Sequence, residues 1–459
     1  MNNKNDLTKD RIFTSILFLA LPIMGTSFVQ MAYNLIDMIW IGKLGSSATA
    51  AVGTAGFYMW FSMGIIFLCR IGAEVLVAQS VGRKDLKATK ETVQNVLQMA
   101  LVFSLIFMAI VLIFKHQLIA FFDIKETNVV DMAVSYLSIV AFGFVFTFLN
   151  PIFTAIFNGY GKSGVPFAIN TIGLIFNIIF DPLLIFGIGP FPALGVKGAA
   201  IATVIAQMIV TFVFIFYIRR NKDVHMFDGL HIFNRPNEKR IFSILKIGLP
   251  AGIQSMLFTI FAMVIARIIA DWGAVAIAVQ KVGSQIESVS WMTASGFSTA
   301  TSTFVGQNYG AGKYDRIKYG YRISLIIMAI IGIITTFGLI FFAEPLFKIF
   351  INEEVALREG VIYLKILGIS QFFMCLEIVT NGAFNGLGKT MYPALNSTFF
   401  NFLRIPMALY LSQTIFSLQG VWWSISISSI LKGIVIVSLF VWTLYKVKKE
   451  MEQPFKEVI

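Results

Sequence analysis

Residues with catalytic or metal-binding side chains are scarce in this 459-residue chain, which has two cysteines and three histidines. Cys69 and Cys375 lie inside apolar stretches, where a small buried residue is expected rather than a disulfide or a metal ligand. None of His116, His225 and His231 has a serine, cysteine or acid nearby at the spacing of a catalytic triad or a metal site. The sequence therefore predicts neither an enzyme nor a metal centre built on histidine or cysteine.

Charged residues are also scarce, at 13% of the chain, whereas hydrophobic residues make up 57% and the mean hydropathy is +0.80. These values exclude an ordinary soluble domain. A membrane-spanning helix needs about 20 consecutive, mainly apolar residues. Twelve such stretches occur, at 14–42, 50–80, 92–114, 132–157, 166–188, 196–218, 242–270, 276–307, 319–343, 361–384, 393–416 and 420–445. The run from Leu174 to Phe180 does not alternate in polarity as a membrane barrel requires. We therefore predict an all-α polytopic membrane protein with twelve transmembrane helices.

The second half of the chain repeats the first at an offset of 228 residues. This offset relates Pro22 to Pro250, Gly45 to Gly273, Gln79 to Gln307 and Gly82 to Gly310. A second block, which begins at Asn158 and Asn385, repeats at 227. Many secondary transporters are built from duplicated halves with the substrate path between the copies. We predict two pseudo-symmetric six-helix bundles, at 1–220 and 241–459, joined by a polar linker at 221–240.

The net charge of +12 raises the question of a nucleic-acid partner, which the positions of the cations argue against. Lysines and arginines concentrate before the first stretch and after the even-numbered ones, from Lys4 through Lys222 to Lys449, and few lie in the other loops. Positive charge marks the cytoplasmic side of a membrane protein. We therefore predict an integral protein of the cytoplasmic membrane with both termini in the cytoplasm, surrounded by lipid and without a nucleic-acid partner.

Two glycine-rich motifs resemble nucleotide-binding loops. Residues 159–164 fit the pattern GxGxxG, and Gly388 to Thr390 resemble the end of a phosphate-binding loop. The dinucleotide loop requires a preceding β-strand, whereas Gly159 follows a predicted membrane helix. A phosphate-binding loop requires a glycine five residues before its Gly-Lys, and this position is Ala383 here. A tight cytoplasmic turn explains them better. The sequence therefore predicts no cofactor and no ATP-hydrolysing domain, so that active transport would be driven by an ion gradient.

Four oxygen-bearing side chains of the first half lie inside predicted spans: Asp37, Asn177, Asp181 and Thr203. At 1.5 Å per residue Asp37, Asp181 and Thr203 share a depth of about 8 to 11 Å below the outer surface. Asn177 and Asp181 share a helix face, and Pro182 leaves a backbone carbonyl without its helical donor. Acids inside a membrane are costly and usually functional. Such a set suits sodium, or a proton shared by two carboxylates. The alternative is that these residues only pack helices together.

The second half lacks this set, since Ile265 and Ile405 replace Asp37 and Asp181. It carries other acids, Glu287 and Glu377, inside the predicted eighth and tenth spans. Either acid could bind a cationic substrate, whose flat rings would suit the abundant aromatic side chains. Each acid could equally form an ion pair inside the bundle, with a partner among Lys281, Arg404 and Lys432.

At these residues the chain resembles the multidrug and toxic compound extrusion (MATE) family. The resemblance rests on Leu21-Pro22, on Asp37 with Gly42-Lys-Leu-Gly45, on Gln79 to Gly82, on Asn177 to Pro182, on Gly198 to Thr203, on Leu249-Pro250 and on Val305 to Gly312. It implies two six-helix bundles in a V, which expel organic cations and drugs in exchange for sodium or protons. It also implies a cation site at Asp37, Asn177, Asp181 and Thr203. Some branches place an acid early in the seventh span, which residues 254–261 lack here.

Three interpretations of function follow. We expect first a monomeric antiporter that exports drugs or organic cations and is coupled to sodium or protons. The second is a flippase of lipid-linked precursors from the same superfamily, which should have a more cationic cleft than the acids of the first half allow. The third is an ion channel or a membrane receptor. Such a protein would need neither the duplicated gates of the repeat nor the titratable pair of acids in the first half.

Overall fold

A computed structural model describes residues 6–221, 223–232 and 234–452. These residues form thirteen α-helices and a 3₁₀ turn at His225–Phe227, without a β-strand. The helices are α1 (Ile12–Gly42), α2 (Ser46–Gly82), α3 (Leu86–Ala120), α4 (Thr127–Tyr160), α5 (Gly164–Phe186), α6 (Val196–Arg220), α7 (Glu238–Ala270), α8 (Ala274–Gly310), α9 (Tyr314–Phe341), α10 (Ala343–Lys348), α11 (Glu354–Gly386), α12 (Met391–Ser412) and α13 (Ser417–Glu452). Lys4 and Lys222, two of the predicted cytoplasmic cations, lie outside the described residues.

The all-α fold predicted from the sequence is confirmed, and each of the twelve apolar stretches overlaps one long helix. Ten of the long helices in the described part of the chain are long and apolar enough to cross a membrane. The other two, α8 and α12, contain more polar side chains, including Glu287 and Arg404. Helix α10 was not predicted, because its six residues are too few to produce a periodic pattern.

The duplicated sequence folds into duplicated turns. After α2, the Asp85 backbone N–H donates to the Ser80 carbonyl at 3.0 Å. After α8, the Lys313 N–H donates to the Asn308 carbonyl at 2.9 Å. Both donor and acceptor positions are related by the 228-residue offset. Each of these hydrogen bonds closes a six-residue turn. It provides a donor for a carbonyl in the last turn of the helix, where the helix itself has no further N–H to offer.

The helices form two compact units. The amino-terminal unit comprises residues 25–252, and the carboxy-terminal unit combines residues 1–24 with residues 253–459. Each therefore differs from the sequence-based division at 220 and 240. The start of α1 belongs to the carboxy-terminal unit because Ile16, Leu19 and Ala20 are buried in the same core as Phe297 and Phe304. Helix α1 is shared by the two units, and a division placed at the most polar segment of the sequence cannot show this.

The connector between α6 and α7 packs on the amino-terminal unit. Met226 and Phe227 are buried in the same core as Phe153 and Phe157. The Gln98 amide on α3 donates to the backbone carbonyls of residues 232 and 234 at 2.7 and 2.8 Å. The polar composition that predicted a linker thus describes a segment attached to α3 by side-chain contacts.

Candidate functional site

The structure brings together the four first-half residues that the sequence predicts to form a cation site. They lie in the amino-terminal unit: Asp37 on α1, Asn177 and Asp181 on α5, and Thr203 on α6. The Asn177 Nδ2 donates to Asp181 Oδ1 at 3.0 Å, and neither residue has any exposed surface. The four-residue spacing on α5 places both groups on one helix face. Pro182, which follows, has no N–H to donate to the carbonyl one turn earlier.

The carboxyl groups of Asp37 and Asp181 lie within hydrogen-bonding reach of each other. Two tyrosines that sequence reasoning missed stand beside them, Tyr33 on α1 and Tyr136 on α4, each buried and with its hydroxyl near Thr203. The position of Tyr33, four residues before Asp37, was a usable signal because it shares that helix face. Nothing in the sequence around Tyr136 relates it to α1 or α5.

Several buried oxygens of this cluster have no hydrogen bond of acceptable geometry within the described residues. They are Asp37 Oδ1, Asn177 Oδ1, Asp181 Oδ2, Thr203 Oγ1 and Tyr33 Oη. Buried polar atoms are nearly always paired, so a group of unpaired oxygens needs an explanation. Carboxylate, amide and hydroxyl oxygens are the ligands that a hard cation prefers. Two neighbouring carboxylates also repel each other unless a cation or a shared proton lies between them.

Glu377, one of the two second-half candidates, is enclosed by its own partners. Lys432 Nζ lies 3.1 Å from Glu377 Oε2. Glu377 Oε1 accepts from Ser397 Oγ at 3.2 Å and from Asn381 Nδ2 at 3.3 Å. Glu377 and Lys432 are 4% and 8% exposed. This geometry favours the structural alternative for Glu377, with Lys432 as the counter-ion.

Glu287, the other candidate, keeps one oxygen available. Its Oε2 accepts from Gln371 Nε2 at 3.3 Å, and the buried Tyr363 hydroxyl lies within hydrogen-bonding reach of the carboxyl group. Its buried Oε1 has no hydrogen bond of acceptable geometry within the described residues. Arg404 is nearby, but it donates to the hydroxyls of Ser428 and Ser429 at 3.0 and 3.4 Å. Lys281 is exposed. Glu287 is thus the second-half acid with unused capacity to accept a hydrogen bond or bind a cation.

The sequence matches the MatE family twice, over residues 22–183 and 250–410. The two matched segments begin 228 residues apart, at the same offset as the internal repeat. Together they cover most of the chain. The chain belongs to the MATE family.

This MATE chain is similar to the probable multidrug resistance protein NorM of Thermotoga maritima, with 28% identity over 91% of the chain and 90% of that protein. It is also similar to the probable multidrug resistance protein YoeA of Bacillus subtilis, with 26% identity over 90% of each. A solved structure, described as the outward-facing conformation of a multidrug resistance MATE family transporter of the MOP superfamily, superposes with a TM-score of 0.89. It is 21% identical and covers 98% of both chains, which shows the fold. The protein is thus an integral membrane transporter.

The two repeats of this MATE protein differ at the site. Ile265, which replaces Asp37 at the 228-residue offset, is buried with Ile269 and Ala408 in an apolar cluster. Ile405, which precedes the proline of α12 as Asp181 precedes that of α5, packs against the same cluster. Apolar packing therefore occupies in the carboxy-terminal unit the positions that hold carboxylates in the other unit.

Proposed function

We propose that this MATE protein is an antiporter that exports drugs or organic cations across the cytoplasmic membrane by alternating access. Sodium or protons would drive it by binding to Asp37, Asn177, Asp181 and Thr203. The observation that carries the proposal is the group of buried oxygens without hydrogen-bond partners around two neighbouring carboxylates. An acid pair in a membrane helix bundle is expensive without a cation to offset its charge.

Inward movement of one positive charge under about 150 mV releases roughly 3.5 kcal/mol, which supports a gradient of about a few hundredfold for an uncharged substrate. Outward movement of a monovalent organic cation consumes the same energy, so its export is driven by the concentration gradient of the coupling ion or by more than one inward ion. Two carboxylates give the empty site a negative charge. Binding one monovalent cation makes the net charge of the site more positive by one, and release of the cation reverses this change. Coupling then requires that the cation and the substrate stabilise different states of the protein.

The relatives and Glu287 support the proposed substrate class. Both relatives described above are named as multidrug resistance proteins. A carboxylate with one buried oxygen that lacks a hydrogen bond of acceptable geometry can accept one from an ammonium group. We assign substrate binding to Glu287 and a structural pairing with Lys432 to Glu377. We also propose that the protein works as a monomer with both termini in the cytoplasm.

Efflux of a fluorescent organic cation from membrane vesicles tests the coupling site. The substitutions Asp37→Asn and Asp181→Asn remove one charge each and should reduce ion-driven efflux by about tenfold or more. The matched control is Asp131→Asn, because Asp131 is an exposed acid on α4. Unchanged sodium- or proton-driven efflux in both site variants would refute the assignment. Running each assay under a sodium gradient and then a proton gradient identifies the coupling ion.

A further inference from the structure

A small, partly polar pocket lies next to the candidate cation site, between α1, α5 and α6 of the amino-terminal unit, and it opens beside the exposed Gln30. Its volume is about 20 Å³, and its polar lining comes from Thr26, Gln30, Tyr33, Asn170 and Gln207. A cavity needs on the order of 10–15 Å³ and several polar partners to hold a water molecule. The pocket is therefore large and polar enough for one.

The pocket is displaced from the cation site in the same direction on all three helices. Gln30 precedes Asp37 by seven residues on α1, and Asn170 precedes Asn177 by seven on α5, which is about 10 Å along each axis. Gln207 follows Thr203 by four residues on α6, which runs the opposite way. In the proposed topology this direction leads towards the cytoplasm.

A chain of polar side chains continues from the pocket in the bundle interior. Gln207 Oε1 accepts from Asn150 Nδ2 at 2.8 Å, and Thr211 Oγ1 donates to Asn150 Oδ1 at 2.7 Å. Asn170 Nδ2 lies 3.4 Å from Thr154 Oγ1, its acceptor, one helical turn along α4 from Asn150. Such a series of amides and hydroxyls could replace the water around a moving cation.

Tyr33 separates the pocket from the cation site. It lines the pocket, and its hydroxyl also lies near both carboxylates, Thr203 and Gln207. On the side of the pocket formed by α5 and α6, the two helices are in close contact. A Cβ at Gly173 on α5 would overlap the Val210 side chain on α6. A cation leaving the site in this direction therefore passes beside the tyrosine.

We propose that this pocket is the passage through which the coupling cation moves between the Asp37–Asp181 site and the cytoplasm, with Tyr33 as its barrier. The inference rests on the proposed cation coupling and adds the route. It applies equally to sodium and to a proton carried by water, because both need polar groups along the way.

The first test removes polar groups from the passage without touching the site. Gln207→Leu and Asn170→Leu should each slow ion-driven efflux by about tenfold, which corresponds to a barrier increase of about 1.4 kcal/mol. The equilibrium affinity of the purified variants for the coupling cation should stay close to that of the wild type. Sodium binding is measured with radioactive sodium, and proton binding is measured by proton release. The matched control is Thr171→Val, since Thr171 adjoins Asn170 in sequence but does not line the pocket.

The second test opens the barrier and distinguishes a passage from a structural role. Tyr33→Ala should let sodium or protons cross vesicles without substrate, whereas Tyr33→Phe keeps the ring and should not leak. A general packing defect would slow transport and would not create an ion leak. The leak is measured with a pH-sensitive or sodium-sensitive dye inside the vesicles.

Two results would overturn the passage. One is wild-type efflux in both leucine variants, and the other is a loss of equilibrium cation binding as large as their loss of rate. Asp37→Asn and Asp181→Asn are assayed in parallel. If both of these variants transport normally, the coupling site itself is wrong, and this outcome is recognisable independently of the leucine variants.

Discussion

The side-chain amide of Asn177 donates to Oδ1 of Asp181 at 3.0 Å, with both residues fully buried. This bond fixes the orientation of the carboxylate and leaves Oδ2 of Asp181 and Oδ1 of Asn177 without partners in the described residues. One hydrogen bond therefore holds two free oxygens in place. A binding site gains from such fixed ligands, because little side-chain entropy is lost when the cation binds.

Replacing Asn177 with alanine tests this role. Asn177→Ala removes the donor that orients Asp181 and one of the free oxygens, and hydrogen bonds to charged groups contribute about 1.5–3 kcal/mol. We expect the concentration of cation that half-saturates transport to rise by about tenfold or more. Asn221→Ala is the control, because Asn221 also donates across one helical turn, to the Tyr217 carbonyl at 3.1 Å, outside the site. Equal cation dependence in the two variants would contradict the role.

The Glu377–Lys432 ion pair predicts that the effects of substituting its two residues on protein stability are not additive. Removing one partner of a buried pair leaves an uncompensated charge and costs about 3–5 kcal/mol, whereas replacing both partners is often close to neutral. We therefore expect Lys432→Met or Glu377→Gln alone to lower the thermal stability of the purified protein more than the double variant does. Additive effects would contradict the pair. If the double variant also exports substrate normally, Glu377 is not a substrate ligand.

The turn after α2 predicts a stabilising substitution. Lys84 has φ of 59°, whereas Gly312, 228 residues later, has φ of 70°. A left-handed residue with a Cβ is strained by roughly 1–2 kcal/mol. Lys84→Gly should therefore raise the stability of the protein by about 0.5–1 kcal/mol, since some of the gain is lost to the freer unfolded chain.

Lys87→Gly is the control for the general effect on stability of replacing an exposed lysine by glycine. Lys87 lies in the first turn of α3 and is exposed. Lys87→Gly should lower stability by about 0.5–1 kcal/mol, because glycine is a poor helix former. Thermal unfolding in detergent measures both variants. A loss of stability in Lys84→Gly as large as in Lys87→Gly would refute the strain argument.

The helices could be predicted from the sequence because a spanning helix needs a long apolar run, and that requirement is local. Depth along a helix is also local, since it follows from the rise per residue, and it was enough to select Asp37, Asp181 and Thr203. Their roles remain predictions. The repeat was equally visible, because the glycines with positive φ before α2 and α8, Gly45 and Gly273, are present in both halves.

The remaining features depend on how helices face one another, which no single stretch encodes. The contribution of Tyr136 depends on the rotation of α4 relative to α1. The choice of Lys432 over Lys281 as the partner of Glu377 depends on the contact between α11 and α13. The passage beside Tyr33 is formed by three helices, so its polar residues resemble isolated packing residues when each helix is considered alone.

The proposed topology predicts which engineered cysteines react from outside the cell. Both native cysteines are buried, at 1% exposure or less, so their background reaction should be small. Asp228 in the connector and Lys125 between α3 and α4 are exposed side chains. By the charge distribution, Asp228 lies in the cytoplasm and Lys125 outside. A membrane-impermeant maleimide added to intact cells should therefore label Lys125→Cys and spare Asp228→Cys until the membrane is permeabilised. Labelling of Asp228→Cys alone in intact cells would reverse the topology, and with it the direction in which the passage beside Tyr33 leads.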